Sequence, residues 1–191
     1  MFPDRARLPL SFDPVRLRRD LDKLSSIDWT SHFVRQNYEG DWSVIPLRSA
    51  AGETHPIRMI YSDPTATVFE DTPMLAACDY FRDVVAAFAC EVRSVRLMKL
   101  TPGSIIKAHT DLDLGVENGT ARIHVPVTTN PGVEFRLNGA RVEMKAGEAW
   151  YLRLADPHSA ANRGAEDRVH LVLDLVANDW LMGLLRRGVA A

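Results

Sequence analysis

The spacing of apolar positions changes character partway along the chain. In residues 14–25, "PVRLRRDLDKLS", Val15, Leu17, Leu21 and Leu24 recur at helical offsets behind a proline suited to a first turn. Polar and turn residues follow, up to "DWSVIPLRS" at 41–49, which reads as extended. The spacing predicts the strongest helix over residues 73–90, "PMLAACDYFRDVVAAFAC". Pro73 opens it, Thr72 is placed to cap it, and Leu75, Cys78, Tyr80, Phe81, Val84, Val85 and Phe88 give a broad apolar face.

From residue 92 the period becomes two. "VRSVRLMKL" (92–100), "ARIHVPVTT" (121–129), "VEFRLNG" (133–139), "ARVEM" (140–144), "EAWYLRL" (148–154) and "RVHLVLDL" (168–175) all read as strands. Turn signals such as "TPGS", "ENGT", "NPG", "KAGE" and "NRG" separate them, and Asn138-Gly139 is a strong hairpin signal. A closing helix is expected over about 178–187, with Asn178 or Asp179 as its cap. Short strands at near-even spacing after a helical segment predict a mainly β fold with flanking helices, a double-stranded β-helix of the jelly-roll, cupin-like kind. One domain is expected over residues 1–191: a helical N-terminal third to about 91, a β-rich core over about 92–176, and the C-terminal helix.

Composition adds exclusions. A hydrophobic content of 46%, a charged content of 25% and a net charge of −2 are those of an ordinary globular chain, with no electrostatic reason to expect nucleic acid or an anionic membrane as partner. The N-terminus lacks an apolar stretch of signal-peptide length and no long apolar run occurs, so a cytoplasmic location is expected. Cys78 and Cys90 stand twelve positions apart on the expected helix, too far to bridge, and read as reduced thiols.

The alternating segments carry unusual chemistry. His109 and Asp111 are two apart in "IKAHTDLDLG", so in extended backbone they point to one side. A lone H-x-D pair is weak evidence, because most are solvated surface residues. His158, in "LADPHSAANRG", stands forty-nine positions after His109 at a strand end and offers a third ligand. Two histidines and a carboxylate on one face of an ion leave positions open for a co-substrate and oxygen, which suits non-haem iron(II). In "RVHLVLDL" the residues Arg168, His170, Val172 and Asp174 share one strand face, and Val169, Leu171, Leu173 and Leu175 share the other. The uniformly apolar face must pack; the mixed face looks into the barrel, where an arginine fork is expensive unless it meets an anion. "ARIHVPV" repeats this with Arg122 and His124 opposite Ile123, Val125 and Val127. The bland alternative is that both arginines pair with Asp174, Glu143 or another acid.

His109-x-Asp111, His158 and Arg168 resemble the signature of the iron(II)/2-oxoglutarate-dependent oxygenases. The longer pattern "GSIIKAH…ARIHVPV…VEFRLNG…AGEAWYLRLADPHSAANRG…RVHLVLDLVAND" is similar to the aspartyl/asparaginyl β-hydroxylase domain family and to the bacterial free-proline hydroxylases related to it. The likeness covers most of residues 41–180. It implies Fe(II) held by His109, Asp111 and His158, and 2-oxoglutarate bound by Arg168 and Arg122 with His124 nearby. O2 is then the second co-substrate, and the reaction hydroxylates an amino acid, an amino-acid-derived small molecule or a peptide. The chain departs from the aspartyl/asparaginyl hydroxylases themselves, which lack the ligand carboxylate that Asp111 supplies; the free-amino-acid hydroxylases are the closer chemical guide. A complete triad also speaks against halogenation, which needs that position for chloride.

Weaker expectations concern five other residues. Arg48 is a candidate anchor for a substrate carboxylate, and Trp150 a candidate pocket wall. Asp113 reads as a solvated turn acid before a partner of a ligand histidine, and His32 and His55 receive no role. Two rival classes remain at this level. A cupin-type isomerase or epimerase would use the same ligands with another metal. A non-catalytic jelly-roll binding module would not explain Asp111 and His158 together.

Overall fold

The computed structural model describes residues 2–187. Its strands are β1 (Arg5–Ser11), β2 (Thr30–Ser31), β3 (Tyr38–Glu39), β4 (Trp42–Ala50), β5 (Phe69–Asp71), β6 (Val92–Leu100) and β7 (Ile105–His109). They continue as β8 (Thr120–Thr128), β9 (Val133–Leu137), β10 (Ala140–Arg141), β11 (Glu148–Leu152), β12 (His158–Asn162) and β13 (Arg168–Val176). Five helices flank them: α1 (Pro14–Lys23), α2 (Pro56–Ile60), α3 (Pro73–Ala76), α4 (Asp79–Ala86) and α5 (Asp179–Arg187). The larger sheet runs β1-β11-β8-β13-β6-β4-β2, with β5 beside β4, and the smaller runs β10-β9-β12-β7-β3. All pairings are antiparallel, and the two sheets close over one another as the expected double-stranded β-helix.

The period-two pattern sorts side chains into two cores. Val169, Leu171 and Leu173 of β13 join Ile123 and Val125, Val95 and Leu97, and Ile45 and Leu47, beneath Leu17, Phe81, Val84 and Leu184 of the helices. The opposite faces, with Val172, Met98, Leu100 and Val44, meet Ile106, Phe135, Leu137 and Ala160 of the smaller sheet. The mixed face of β13 therefore looks between the sheets, as its alternation required.

Three expectations change. The helix over 73–90 is two helices, because Cys78 leaves helical geometry at φ −117°, ψ 85°. Asp20 of α1, itself buried, accepts the Tyr80 and Phe81 amides at 2.7 and 3.0 Å and so caps α4 from another element. Thr72 does cap the first piece, through Leu75 N. The N-terminal third is not purely helical either: β1 pairs with β11 at one edge of the larger sheet, and β4 lies directly against β6. The alternation of Ala6 and Leu8 with Arg5 and Arg7 was the available signal for β1. The strand read over 140–144 shrinks to Ala140–Arg141, behind a hairpin turn in which Asn138 and Gly139 both take positive φ, 51° and 77°. Asn178, rather than Asp179, caps the last helix by accepting Leu181 N at 3.0 Å. Both cysteines are free thiols, and burial pushes Cys78 up to about 11.

Candidate metal centre

His109 ends β7 and His158 begins β12, and the antiparallel register makes them direct cross-strand partners. Their rings lie 4.3 Å apart between centroids. Asp111 sits just beyond β7, in a loop stitched to the one preceding His158: Asp111 N donates to Leu154 O at 2.8 Å and Ala155 N to Leu114 O at 3.0 Å. Ligand atoms of His109, Asp111 and His158 all fall within 4.8 Å of one another, and His109 Nε2 stands 3.6 Å from Asp111 Oδ1. Two bonds of about 2.0–2.2 Å span at most about 4.4 Å, so small side-chain rotations suffice for one ion to touch all three.

Tautomers favour the same use. His109 Nδ1 lies 2.7 Å from Lys107 O and His158 Nδ1 3.0 Å from Asp156 O. A carbonyl only accepts, so both Nδ1 atoms carry the proton and both Nε2 lone pairs are free for a cation. Burial lowers the His158 pKa, which keeps that ring neutral. The donor set fits a first-row dication.

A cavity of about 360 Å³ opens beside this trio, lined among others by Arg96, Arg122, His124 and Arg168. Arg168 is 2% exposed and, among the described residues, has no carboxylate partner and leaves Nε without any hydrogen bond. Its one side-chain contact is Nη2 to His170 Nδ1, 2.9 Å away. Burial pulls its pKa down to about 9, still cationic at neutral pH. His124 Nε2 is likewise buried without a partner, and its Nδ1 meets His170 Nδ1 at 3.2 Å. Burial, reinforced by the Arg168 charge, holds both rings far below the ordinary imidazole pKa. A buried cation without a carboxylate partner, facing this cavity, marks a place for an anion. Asn162 builds the approach to Arg168: fully buried, it donates to Leu100 O and Glu166 O at 2.9 and 2.8 Å and so pins the turn that launches β13.

Arg122 behaves differently. Expected beside Arg168 at the co-substrate, it lines the same cavity and also commits each of its three nitrogens to a carboxylate. Nε and Nη2 donate to Asp174 at 2.6 and 3.0 Å, and Nη1 donates to Asp111 Oδ2 at 2.6 Å. Asp174 also accepts from Ser62 and Ser94, each at 2.9 Å, and pairs with the buried Arg96, which donates to Ile60 O. Burial opposes the Asp174 charge, but Arg122 and Arg96 outweigh it and hold the carboxyl well below its usual range. Arg96 escaped the sequence reading, although it lies two positions from Ser94 and Met98 on the interior face of β6 and the alternation exposes it as a buried charge.

The cavity mouth also went unread. His32 stacks on Trp42 with centroids 3.5 Å apart and lines the wall; burial, then the Arg96 and Arg122 charges, lowers its pKa to about 3. Phe33, Tyr61 and Leu112 rim the opening, Leu112 with 88% of its surface exposed. Two expected pocket residues lie elsewhere. Arg48 pairs with Asp71 at 2.5 Å and donates to Val92 O and Phe69 O, outside the cavity, because a register shift in β4 past Pro46 turns it to the sheet edge. Trp150 packs in the inter-sheet core and donates to Glu148 Oε2 at 2.9 Å without lining the cavity. Asp113 is an exposed turn residue at φ 60°, and His55 is exposed. No helix among the described residues is long and apolar enough to cross a membrane.

Known proteins share this arrangement of chain. An L-proline cis-4-hydroxylase of Rhizobium meliloti (strain 1021) is 28% identical over 180 residues, covering 93% of this chain and 62% of that protein. An L-proline cis-3-hydroxylase of Streptomyces sp is 24% identical over 169 residues, covering 87% of this chain and 58% of that one. The chain thus spans about three fifths of the length of these relatives. Its fold matches that of an oxidoreductase of the 2OG-Fe(II) oxygenase family from Burkholderia pseudomallei, with a TM-score of 0.54 at 18% identity over 92% of this chain and 88% of the other. Residues 15–178, which hold the trio, both R-x-H strands and the Asn178 cap, match the family model described as Aspartyl/Asparaginyl beta-hydroxylase, and the chain belongs to that family.

Proposed function

We propose that the chain is an iron(II)- and 2-oxoglutarate-dependent dioxygenase that hydroxylates an unactivated C–H of an amino acid, an amino-acid-derived small molecule or a peptide. The observation that carries this reading is an unpaired buried Arg168 in the same cavity as the His109, Asp111 and His158 cluster. A metal isomerase does not require an arginine placed for a dicarboxylate, whereas a dicarboxylate co-substrate supplies the anion that Arg168 lacks. The two relatives, both proline hydroxylases by name, support an amino-acid-sized substrate.

His109, Asp111 and His158 would hold the iron, which when bound supplies the oxygen chemistry the protein cannot. Arg168 receives a carboxylate of 2-oxoglutarate as a two-pronged donor, and the unpaired nitrogen of His124 borders the same space. Arg122 holds Asp111 and lines the same cavity, where its remaining N–H groups border the co-substrate. The His32–Trp42 stack and Phe33 line the route by which substrate enters and bulk water is excluded. In balance, 2-oxoglutarate, O2 and R–H yield succinate, CO2 and R–OH.

The test begins with protein purified without added metal. Iron(II) and 2-oxoglutarate are then supplied with free amino acids, N-capped amino acids and short peptides, and succinate is measured. Iron-dependent succinate formation stimulated by one of these substrates is expected. Protein that binds iron(II) yet forms no succinate with any of them overturns the reading.

A further inference from the structure

We propose that Asp174 is a positioning residue whose task is to occupy Arg122, so that Arg122 steadies Asp111 without disabling it as a metal ligand. The inference rests on the metal-site reading above and concerns residues that do not themselves touch the ion.

The geometry supplies the argument. Arg122 lies between two carboxylates with opposite needs. Asp174, 8% exposed, receives Nε and Nη2 in a two-pronged pair at 2.6 and 3.0 Å. Asp111, more open to solvent, receives Nη1 alone, at 2.6 Å and on Oδ2 alone. Oδ1 of Asp111 is left facing His109 Nε2, on the side where the ligand atoms gather. One oxygen is tethered and the other is free, which suits a ligand with one orientation.

Asp174 can do this because it is itself immobile. Ser62, Ser94 and Arg96 all donate to it, from the segment after α2 and from β6, and strand register sets Asp174 directly opposite Arg122. Without its charge the balance would shift. Arg122 would keep a full positive charge in a dry site whose nearest remaining anion is Asp111, and an arginine fork prefers two carboxylate oxygens to one. It would then compete with the metal for Oδ1. Asp174 thus protects the ligand from its own supporting arginine.

A double-mutant cycle on cobalt(II) binding reads this out without catalysis. Asp174→Asn keeps the shape and removes the charge; Arg122→Met removes the competitor. Cobalt(II) affinity should fall about ten- to hundredfold in Asp174→Asn, the usual scale for a lost supporting partner of a metal ligand. In an Arg122→Met background the same substitution should change affinity by less than about twofold, because Arg122 alone among the described donors to Asp174 also bonds Asp111. The visible absorption of bound cobalt(II) should change in Asp174→Asn and match between Arg122→Met and the double variant. If Asp174→Asn alone does not fold, Asp174→Ser takes its place in the cycle, and a further loss from Arg122→Met to the double variant still overturns the role. An equal loss in both backgrounds, or undiminished affinity in folded Asp174→Asn, also overturns it while leaving the metal site standing. Absence of cobalt(II) binding by the unaltered chain would instead remove both the site and this role.

Discussion

Strands β8 and β13 carry the same pattern on the same interior face, Arg122-x-His124 and Arg168-x-His170, yet the two arginines live in opposite surroundings. The strands run antiparallel, so the motifs point in opposite directions and their histidines meet in the middle at 3.2 Å. Arg122 lands opposite Asp174 and engages acids through all three nitrogens; Arg168 lands at the far end, opposite Leu100, where no acid among the described residues reaches it. A filled fork is part of the scaffold. An empty one supports the proposed anion-binding role, since no acid among the described residues offsets the cost of burying its charge. Identical sequence motifs thus acquire different work from strand direction alone.

The comparison breaks most visibly if both arginines are replaced in turn by methionine. Arg122→Met leaves Asp174 and Asp111 short of a partner inside the fold and should cost about 3–5 kcal/mol by denaturant unfolding. Arg168→Met should lower stability by less than about 1 kcal/mol, because it removes a buried charge that has no partner, while abolishing measurable 2-oxoglutarate binding. Comparable destabilisation by the two would show that Arg168 is structural. A finer cut is Arg168→Lys, which keeps the charge and loses the fork. Charge-assisted bonds of about 1.5–3 kcal/mol predict roughly ten- to hundredfold weaker 2-oxoglutarate binding by calorimetry, with the fold intact.

The buried histidines of the cavity and its surroundings add a response to acid. His32, His124 and His170 have pKa values depressed in the folded state, chiefly by burial, below the 6.5 of an exposed imidazole. Below about 6.5 the unfolded chain takes up protons that the folded chain refuses, so stability is full above that pH and is lost as pH falls; for His32 the loss continues to about 3. Each such histidine adds a slope of up to about 1.4 kcal/mol per pH unit. Metal-free protein should therefore melt at falling temperature as pH drops from about 6.5 to 4. Because burial is the larger cause, Arg168→Met should retain most of that slope; a flat profile in either protein contradicts the assignment. The smallest effect is expected at Asp113. Asp113→Asn preserves a residue at ease with φ 60° and should leave cobalt(II) affinity within about twofold, whereas Asp111→Asn should lose most of it.

Much of this was open to reading along the chain. Period two in "RVHLVLDL" placed Arg168 and Asp174 on the inner face because a strand cannot do otherwise once its apolar face is packed. The i, i+2 spacing of His109 and Asp111 and the later His158 identified a ligand set that strand pairing then brought together. Other features were invisible for equally physical reasons. The helix over 73–90 breaks because a carboxylate from α1 caps its second half, an interaction between elements that no local pattern records. His32 looked idle in a polar loop until stacking on Trp42 carried it into the cavity wall. Arg48 seemed available until a register shift in β4 delivered it to Asp71.

The sequence by itself determined the alternation, the turn positions and the supply of ligands, because these depend on backbone periodicity and side-chain chemistry, which are local. Only the tertiary structure decided which arginine is satisfied and which is left wanting an anion. That choice depends on what lies across the sheet, and strand order and register, not neighbours in sequence, put Asp174 against Arg122 and left Arg168 open to the cavity.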